Sequence, residues 1–148
     1  MWNYDPQNAI YKQGGSGNNW ALGYHYYGEE EYQATSEIVR HQLEKIDYFG
    51  GFQVLQSLAG GTGSGLGTHL VERLREDHAK ANLINLAVWP YMTGEVVLQN
   101  HNVLLTMSGL LTDSNALITV FNDEVLTTCR ELLKEPRPSY ALMNKVIA

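Results

Sequence analysis

The sequence has one cysteine, four prolines and no long apolar run. Cys129 has no second cysteine to pair with, which excludes an internal disulfide and fits a reducing compartment such as the cytoplasm. The apolar runs are too short to span a bilayer, and the first residues are polar and aromatic rather than a signal peptide. Its 10 basic and 16 acidic residues give a formal net charge of −6 with no basic cluster. This balance argues against nucleic acid or an anionic membrane as the main partner.

Histidines are present but show no metal-ligand spacing. We interpret all five of them as surface or packing residues, at positions 25, 41, 69, 78 and 101. No Ser/His/Asp set and no carboxylate pair in a suitable context stands out either. The sequence therefore predicts no metal site and no catalytic residue within these 148 residues.

Glycine, by contrast, is abundant, and five glycines fall within the eight residues 60–67. A short apolar run precedes them and an amphipathic run follows, which predicts a strand, a glycine loop and a helix. Glycine lets a ligand approach the backbone, and a helix N-terminus offers unpaired N–H groups with a partial positive charge. Together these features indicate a phosphate-binding loop.

The loop fits neither of the two commonest glycine motifs. It has no Gly-Lys-Ser/Thr, so it is not a P-loop, and its glycines alternate instead of following G-x-G-x-x-G. Without a lysine, phosphate charge would be neutralised by backbone amides, the helix dipole, hydroxyls and a metal ion. The alternative is a tight turn between strand and helix, which rarely needs so many glycines.

Hydrophobic periodicity predicts alternating strands and helices, after a loop at residues 1–28. We expect strands at 52–57, 82–89 and 116–121, and helices at 29–48, 65–80, 96–111, 123–134 and from 139 or 140 onward. This order implies an α/β fold with a parallel sheet whose ligands bind beyond the carboxyl ends of the strands. Three strands make a thin sheet, so we expect the chain to be part of a larger domain.

Several motifs resemble the tubulin family. The loop AGGTGSG at 59–65 is similar to the tubulin signature GGGTGSG, with alanine in the first place. GSGNNWA at 15–21, FNDE at 121–124 and RPSY at 137–140 with a following asparagine resemble other tubulin segments in the same order. Within the family, WPYMTGEVVLQNHN at 89–102 is most similar to the delta class. The fold implied is an incomplete Rossmann-like parallel sheet of the tubulin GTPase domain, with helices on both faces.

The resemblance implies a guanine nucleotide, GTP or GDP, with Mg²⁺ held by residues outside this chain. The amides of the glycine loop would hold the phosphates, the 17–18 loop would reach the γ-phosphate side, and later residues would contact ribose and base. The residues implied in GTP binding are Gly17, Asn18, Ser57, Ala59, Gly60, Gly61, Thr62, Gly63, Ser64, Gly65, Glu95, Asn122, Tyr140 and Asn144. A second family glutamate is Gln99 here, which weakens the expected ribose contacts.

Four of these residues also have a plainer interpretation. Asn122 could cap the helix that follows it, since asparagine is a preferred N-cap. Tyr140 could belong to the core, as most of the nine tyrosines must. Asn18 fits ordinary turn composition, and Glu95 could be a solvated loop carboxylate.

From the resemblance we expect residues 1–148 to be part of a tubulin-type GTP-binding domain. The family's first strand would precede residue 1, and everything after the start of the central helix would follow residue 148. The implied role is a delta-tubulin-like structural or assembly protein of the cytoplasmic cytoskeleton, in centrioles, basal bodies and cilia. The implied partners are other tubulin subunits and centriolar proteins. Alternatives are a gamma-like microtubule-nucleating tubulin, a monomeric GTPase and an unrelated phosphate-binding α/β domain.

Overall fold

A computed structural model describes residues 5–94 and 96–148, in which a three-stranded parallel sheet forms the centre. The strands are β1 (Gly51–Ser57), β2 (Asn82–Trp89) and β3 (Ala116–Phe121), and they lie side by side in chain order. Ser57 pairs with Val88, and Trp89 pairs with Phe121. All three carboxyl ends therefore meet at one edge, as the alternating pattern predicts.

Helices cover both faces of this sheet, which confirms the predicted fold class. Within the described residues they are α1 (Gly28–Leu43), α2 (Gly67–Asp77), α3 (Gln99–Asp113), α4 (Asn122–Glu131) and α5 (Tyr140–Ile147). Wide π-helical turns, Leu22–Tyr27 and Thr62–Leu66, lead directly into α1 and α2. A short 3₁₀ helix spans Pro6–Asn8. None of the described helices is long and apolar enough to cross a membrane.

The start of α1 is the largest departure from the predicted elements. Residues 22–28 were predicted as loop, but they are helical, and α1 ends at Leu43 rather than near residue 48. The glycines that lowered the local helix propensity are used for packing: a Cβ on Gly28 would lie 2.5 Å from Cγ of His69. Tertiary packing thus overrides a weak local preference. The regular part of α3 also begins three residues later than predicted, at Gln99.

Two apolar clusters lie on opposite faces of the sheet, because successive strand residues point to opposite sides. The larger cluster joins Leu83 and Ala87 of β2 to buried residues of α2 and α3. The smaller cluster is formed by Val125, Cys129 and Met143 of α4 and α5, which pack on β3. Cys129 is fully buried in this cluster.

The sheet face that carries the smaller cluster is only partly covered by helices. Leu55 of β1 is 67% exposed and Ile118 of β3 is 50% exposed. An open groove of about 500 Å³ runs along β1 and β2 toward α5. This groove begins at the carboxyl end of β1, where the glycine loop starts.

Candidate functional site

Two loops that are distant in sequence meet at the carboxyl end of β1. One is residues 16–20 and the other is residues 59–63, which we call the N-loop and the G-loop. The Ser16 and Thr62 hydroxyls lie 3.0 Å apart, in hydrogen-bond contact. Gly17 and Asn18 both have left-handed backbones, with φ of 56° and 54°, which glycine and asparagine tolerate best. The structure thus brings predicted γ-phosphate-side residues next to the predicted phosphate loop.

Glycine is required where these segments pack backbone against backbone. A Cβ on Gly61 would lie 2.3 Å from Ser16 Oγ and 2.6 Å from the Asn19 carbonyl oxygen. A Cβ on Gly65 would lie 2.2 Å from the Trp20 carbonyl oxygen. The glycine pattern that suggested a phosphate loop therefore also serves loop packing, which the sequence alone did not separate from ligand binding.

Backbone donors remain free in the G-loop. The N–H groups of Gly60 and Gly61 have no acceptor among the described residues. Thr62 begins the wide first turn before α2, where N–H groups lack intrahelical partners and the helix dipole is positive. Gly60 is uncrowded, since a Cβ there would come no closer than 3.6 Å to Asn18. This arrangement can bind an anion.

Other residues predicted to bind phosphate are buried beneath the G-loop or make contacts within it. Ser64 and Gly65 are buried, and the Ser64 hydroxyl donates to the Gly60 carbonyl, so both support the loop from beneath. Ser57 is exposed, and its hydroxyl accepts a hydrogen bond from the Ala59 N–H at 3.3 Å. A Cβ on Gly63 would lie 3.3 Å from Ser57. Ser57 and Thr62 are thus the exposed residues of this region, Ala59, Gly60 and Gly63 are half-buried, and Gly61 is buried.

A lysine does lie near the G-loop, although none is present in it. Lys12 lines a cavity of about 240 Å³ together with Ser16 and Thr62. Its ammonium is 2.7 Å from a Glu30 carboxylate oxygen and also contacts Glu31. These two carboxylates raise the pKa of Lys12 and already neutralise its charge. The anion-binding capacity of the loop therefore rests on amides and the dipole.

The residues predicted on the base side lie at the other end of the site. Asn144 of α5 lines the open groove together with Ser57. Tyr140, the first residue of α5, is 76% exposed and is not part of the core formed by the described residues. Asn122 is the first residue of α4, and its side chain makes no hydrogen bond with the described residues. The N-cap position is Phe121, so Asn122 does not cap the helix. Asn122 and Tyr140 lie outside the lining of the groove.

The loop after β2 is fixed by two side chains from outside it. Gln99 is buried, and its amide donates to the Tyr91 carbonyl at 3.1 Å. A carboxylate oxygen of Asp123 accepts the Met92 N–H at 2.9 Å. Glu95, the predicted ribose contact, lies outside the described residues. The Gln99 side-chain amide thus holds this loop in place.

Sequence reasoning missed Asn102. This residue of α3 is 2% exposed, and its amide nitrogen donates to the carbonyls of Asn18 and Ala59, both at 2.8 Å. A signal was present: Gln99, Asn102 and Thr106 are polar residues on the helix face that also carries Val103 and Leu110. Polar groups on a core-facing stripe need partners, and Asn102 finds its partners in the N-loop and the G-loop.

No group of three His, Cys, Asp or Glu side chains comes together among residues 5–94 and 96–148. The donors that the site does offer are amides, hydroxyls and side-chain amides. That set suits a phosphate group.

Comparison with known proteins agrees with this geometry. Residues 2–130 match the model of the Tubulin/FtsZ family, GTPase domain. The chain is similar to the tubulin delta chain of Homo sapiens, with 39% identity over 148 residues, covering 100% of this chain and 33% of the human protein. It is 38% identical to the tubulin delta chain of Macaca fascicularis over 147 residues, covering 99% and 32%. It is 35% identical to the tubulin beta-1 chain of Colletotrichum graminicola over 146 residues, covering 98% and 33%. The chain spans about a third of the length of these curated relatives.

Proposed function

This chain belongs to the Tubulin/FtsZ family, and from that membership we propose that it contributes the phosphate loops and part of the base pocket of a GTP-binding site. The observation that carries this proposal is the convergence of the N-loop and the G-loop beside free amides at the carboxyl end of β1. Parallel α/β sheets bind ligands at this edge. GTP or GDP is the ligand that the family description favours.

Phosphate binding falls to the G-loop. The free amides of Gly60 and Gly61 and the first turn before α2 donate to the phosphate oxygens, and the Thr62 and Ser57 hydroxyls add polar contacts. Ala59 differs from the usual glycine only by a methyl group, so it retains the amide. Gly17 and Asn18 approach from the opposite side and close over the γ-phosphate. Mg²⁺ accompanies the nucleotide and takes its protein ligands from outside this chain.

Base recognition falls to α4 and α5. Tyr140 is exposed at the start of α5, where its ring can stack on a purine without leaving a packed core. Asn122 and Asn144 each carry a donor and an acceptor, which suits the guanine edge. Ser57 and Asn144 share one groove, so phosphate-side and base-side residues face a common space.

The finer proposal is a delta-tubulin-like role in the cytoskeleton. Identities of 38% and 39% to two delta chains, against 35% to a beta chain, support the delta class. In this role the protein pairs with other tubulin subunits and with centriolar proteins, at centrioles and basal bodies. Its structural contribution is to triplet microtubules and cilium assembly.

Nucleotide titration tests the GTP proposal, using protein expressed from the complete coding sequence. We expect saturable GTP binding at micromolar concentration and no comparable binding of ATP. Tyr140→Ala weakens GTP binding by about fivefold to 150-fold, because a stacked base is worth about 1–3 kcal/mol. Tyr140→Phe retains the ring and most of the affinity.

A control for this test is Tyr11→Ala, which removes another exposed ring, 89% accessible and in the segment before the N-loop. Both alanine variants should unfold at nearly the same temperature as wild type, since exposed side chains contribute little stability. No saturable GTP binding by the wild-type protein refutes the proposal. Equal losses in Tyr140→Ala and Tyr11→Ala refute the assignment of Tyr140.

Imaging tests the cellular role. The tagged complete protein should concentrate at centrioles or basal bodies, and its depletion should leave doublets where triplet microtubules normally form. Depletion that abolishes microtubule nucleation and leaves the triplets intact would favour the gamma-like alternative instead.

A further inference from the structure

We propose that Asn102 is a positioning residue that locks the N-loop to the G-loop and so sets the geometry of phosphate binding. This inference rests on the proposed GTP site, because it concerns how that same site is held. Asn102 does not contact the expected ligand position itself. It acts through the two loops that do.

Both the nitrogen and the oxygen of the Asn102 side-chain amide make hydrogen bonds. Its nitrogen donates to the Asn18 carbonyl of the N-loop and to the Ala59 carbonyl of the G-loop, each at 2.8 Å. Its oxygen accepts the Trp20 N–H at 3.2 Å. One planar group therefore fixes both loops at once, with three hydrogen bonds from a residue that is 2% exposed.

Few other hydrogen bonds join the two loops directly, although their backbones pack closely at Gly61. No backbone hydrogen bond connects residues 16–20 with residues 59–63 within the described part of the chain. The other direct polar link is the hydroxyl contact between Ser16 and Thr62 at 3.0 Å. A single side chain from a third element thus supplies most of the polar connection.

Asn102 is itself held rigidly. The Thr106 hydroxyl donates to the backbone carbonyl of Asn102 at 2.7 Å, and the neighbouring Val103 is buried in the larger core cluster. A Cβ on Gly109 would lie 2.4 Å from Thr68 Cγ2, so α3 packs tightly on α2. Because α2 follows the G-loop, the loop and its anchor belong to one packed unit.

Asn102→Ala should reduce phosphate-dependent affinity in the complete protein. We expect the ratio of the guanosine and GTP dissociation constants to fall about tenfold, a change of about 1.4 kcal/mol, because two loops that are no longer tied together hold the phosphates less precisely. The matched control is Asn100→Ala, an exposed asparagine two residues earlier on the same helix. That control should keep the ratio within about twofold of wild type, as expected for exposed surface positions.

A second pair of variants covers the case in which Asn102→Ala does not fold. Asn102→Asp keeps the shape and the acceptor for Trp20, but a charged carboxylate would face the carbonyl oxygens of Asn18 and Ala59. Protonation restores one donor, and burial raises the pKa of such a carboxyl group. The GTP-binding defect relative to Asn100→Asp should therefore shrink as the pH falls from 8 to 5.

The outcomes separate the two proposals. If wild-type protein binds no GTP, the proposed function fails. If wild type binds GTP but Asn102→Ala and Asn100→Ala have the same guanosine-to-GTP ratio, the positioning role is overturned while the proposed function stands. A pH-independent defect in Asn102→Asp also overturns it, because protonation returns a donor to the two loop carbonyls and should partly restore GTP binding if that donor positions the loops.

Discussion

Gly65→Ala should destabilise the fold because the added methyl group has no room. The Cβ position lies 2.2 Å from the Trp20 carbonyl oxygen and 2.9 Å from the Tyr24 backbone nitrogen. Both obstacles are backbone atoms, so no side-chain rotation can relieve the clash. The π-helical turn before α2 must move away from the segment that leads into α1.

The size of the effect follows from two opposing terms. Overpacking of this kind costs about 3 kcal/mol, at the upper end of its usual range. Alanine recovers about 1 kcal/mol relative to glycine in a helical conformation. The net loss is about 2 kcal/mol, which lowers the melting temperature by about 4–8 °C where this domain unfolds on its own, and by less where a protein about three times as long unfolds as one unit.

Thermal unfolding of the complete protein measures this shift, and Gly60→Ala is the matched control. Its Cβ would approach no atom closer than 3.6 Å, so the same substitution five residues earlier should change the melting temperature by about 1 °C or less. Equal melting temperatures for the two variants would show that the close approach of the two segments is wrong.

Three further predictions concern the stability of the fold and the burial of a thiol. Burial lowers the pKa of His69 below 6.5, so the folded state disfavours protonation of this side chain. The free energy of unfolding, measured with urea, should therefore fall as the pH drops below about 6.5. His69→Gln should flatten that part of the pH profile. The guanidinium of Arg75 donates to three backbone carbonyls, so Arg75→Lys should lower the free energy of unfolding by about 2 kcal/mol. Arg40 lies in an exposed ion-pair cluster, so Arg40→Lys should lower it by less than about 0.5 kcal/mol. Similar losses in the two variants would contradict the assigned contacts. Cys129 is fully buried, so its thiol should react with a thiol reagent only after unfolding, and Cys129→Ala should leave the native-state reaction unchanged.

Local signals accounted for much of the fold. The second and third strands have the predicted bounds, because short apolar runs flanked by turn residues carry their own boundaries. The helical entry to α1 was missed because its glycines argue against helix locally. Their packing partners, Gly61 and His69, lie far along the chain, where periodicity carries no information.

The sequence by itself determined the α/β class, the glycine loop and the family, since these depend on periodicity and on contiguous motifs. Only the tertiary structure decided how the loop is held. It placed Ser64 beneath the loop, left Tyr140 exposed, and brought Asn102 between two loops that lie 84 and 43 residues away from it. The physical reason is that a hydrogen bond depends on distance in space, and the packing of α3 on α2 created those distances.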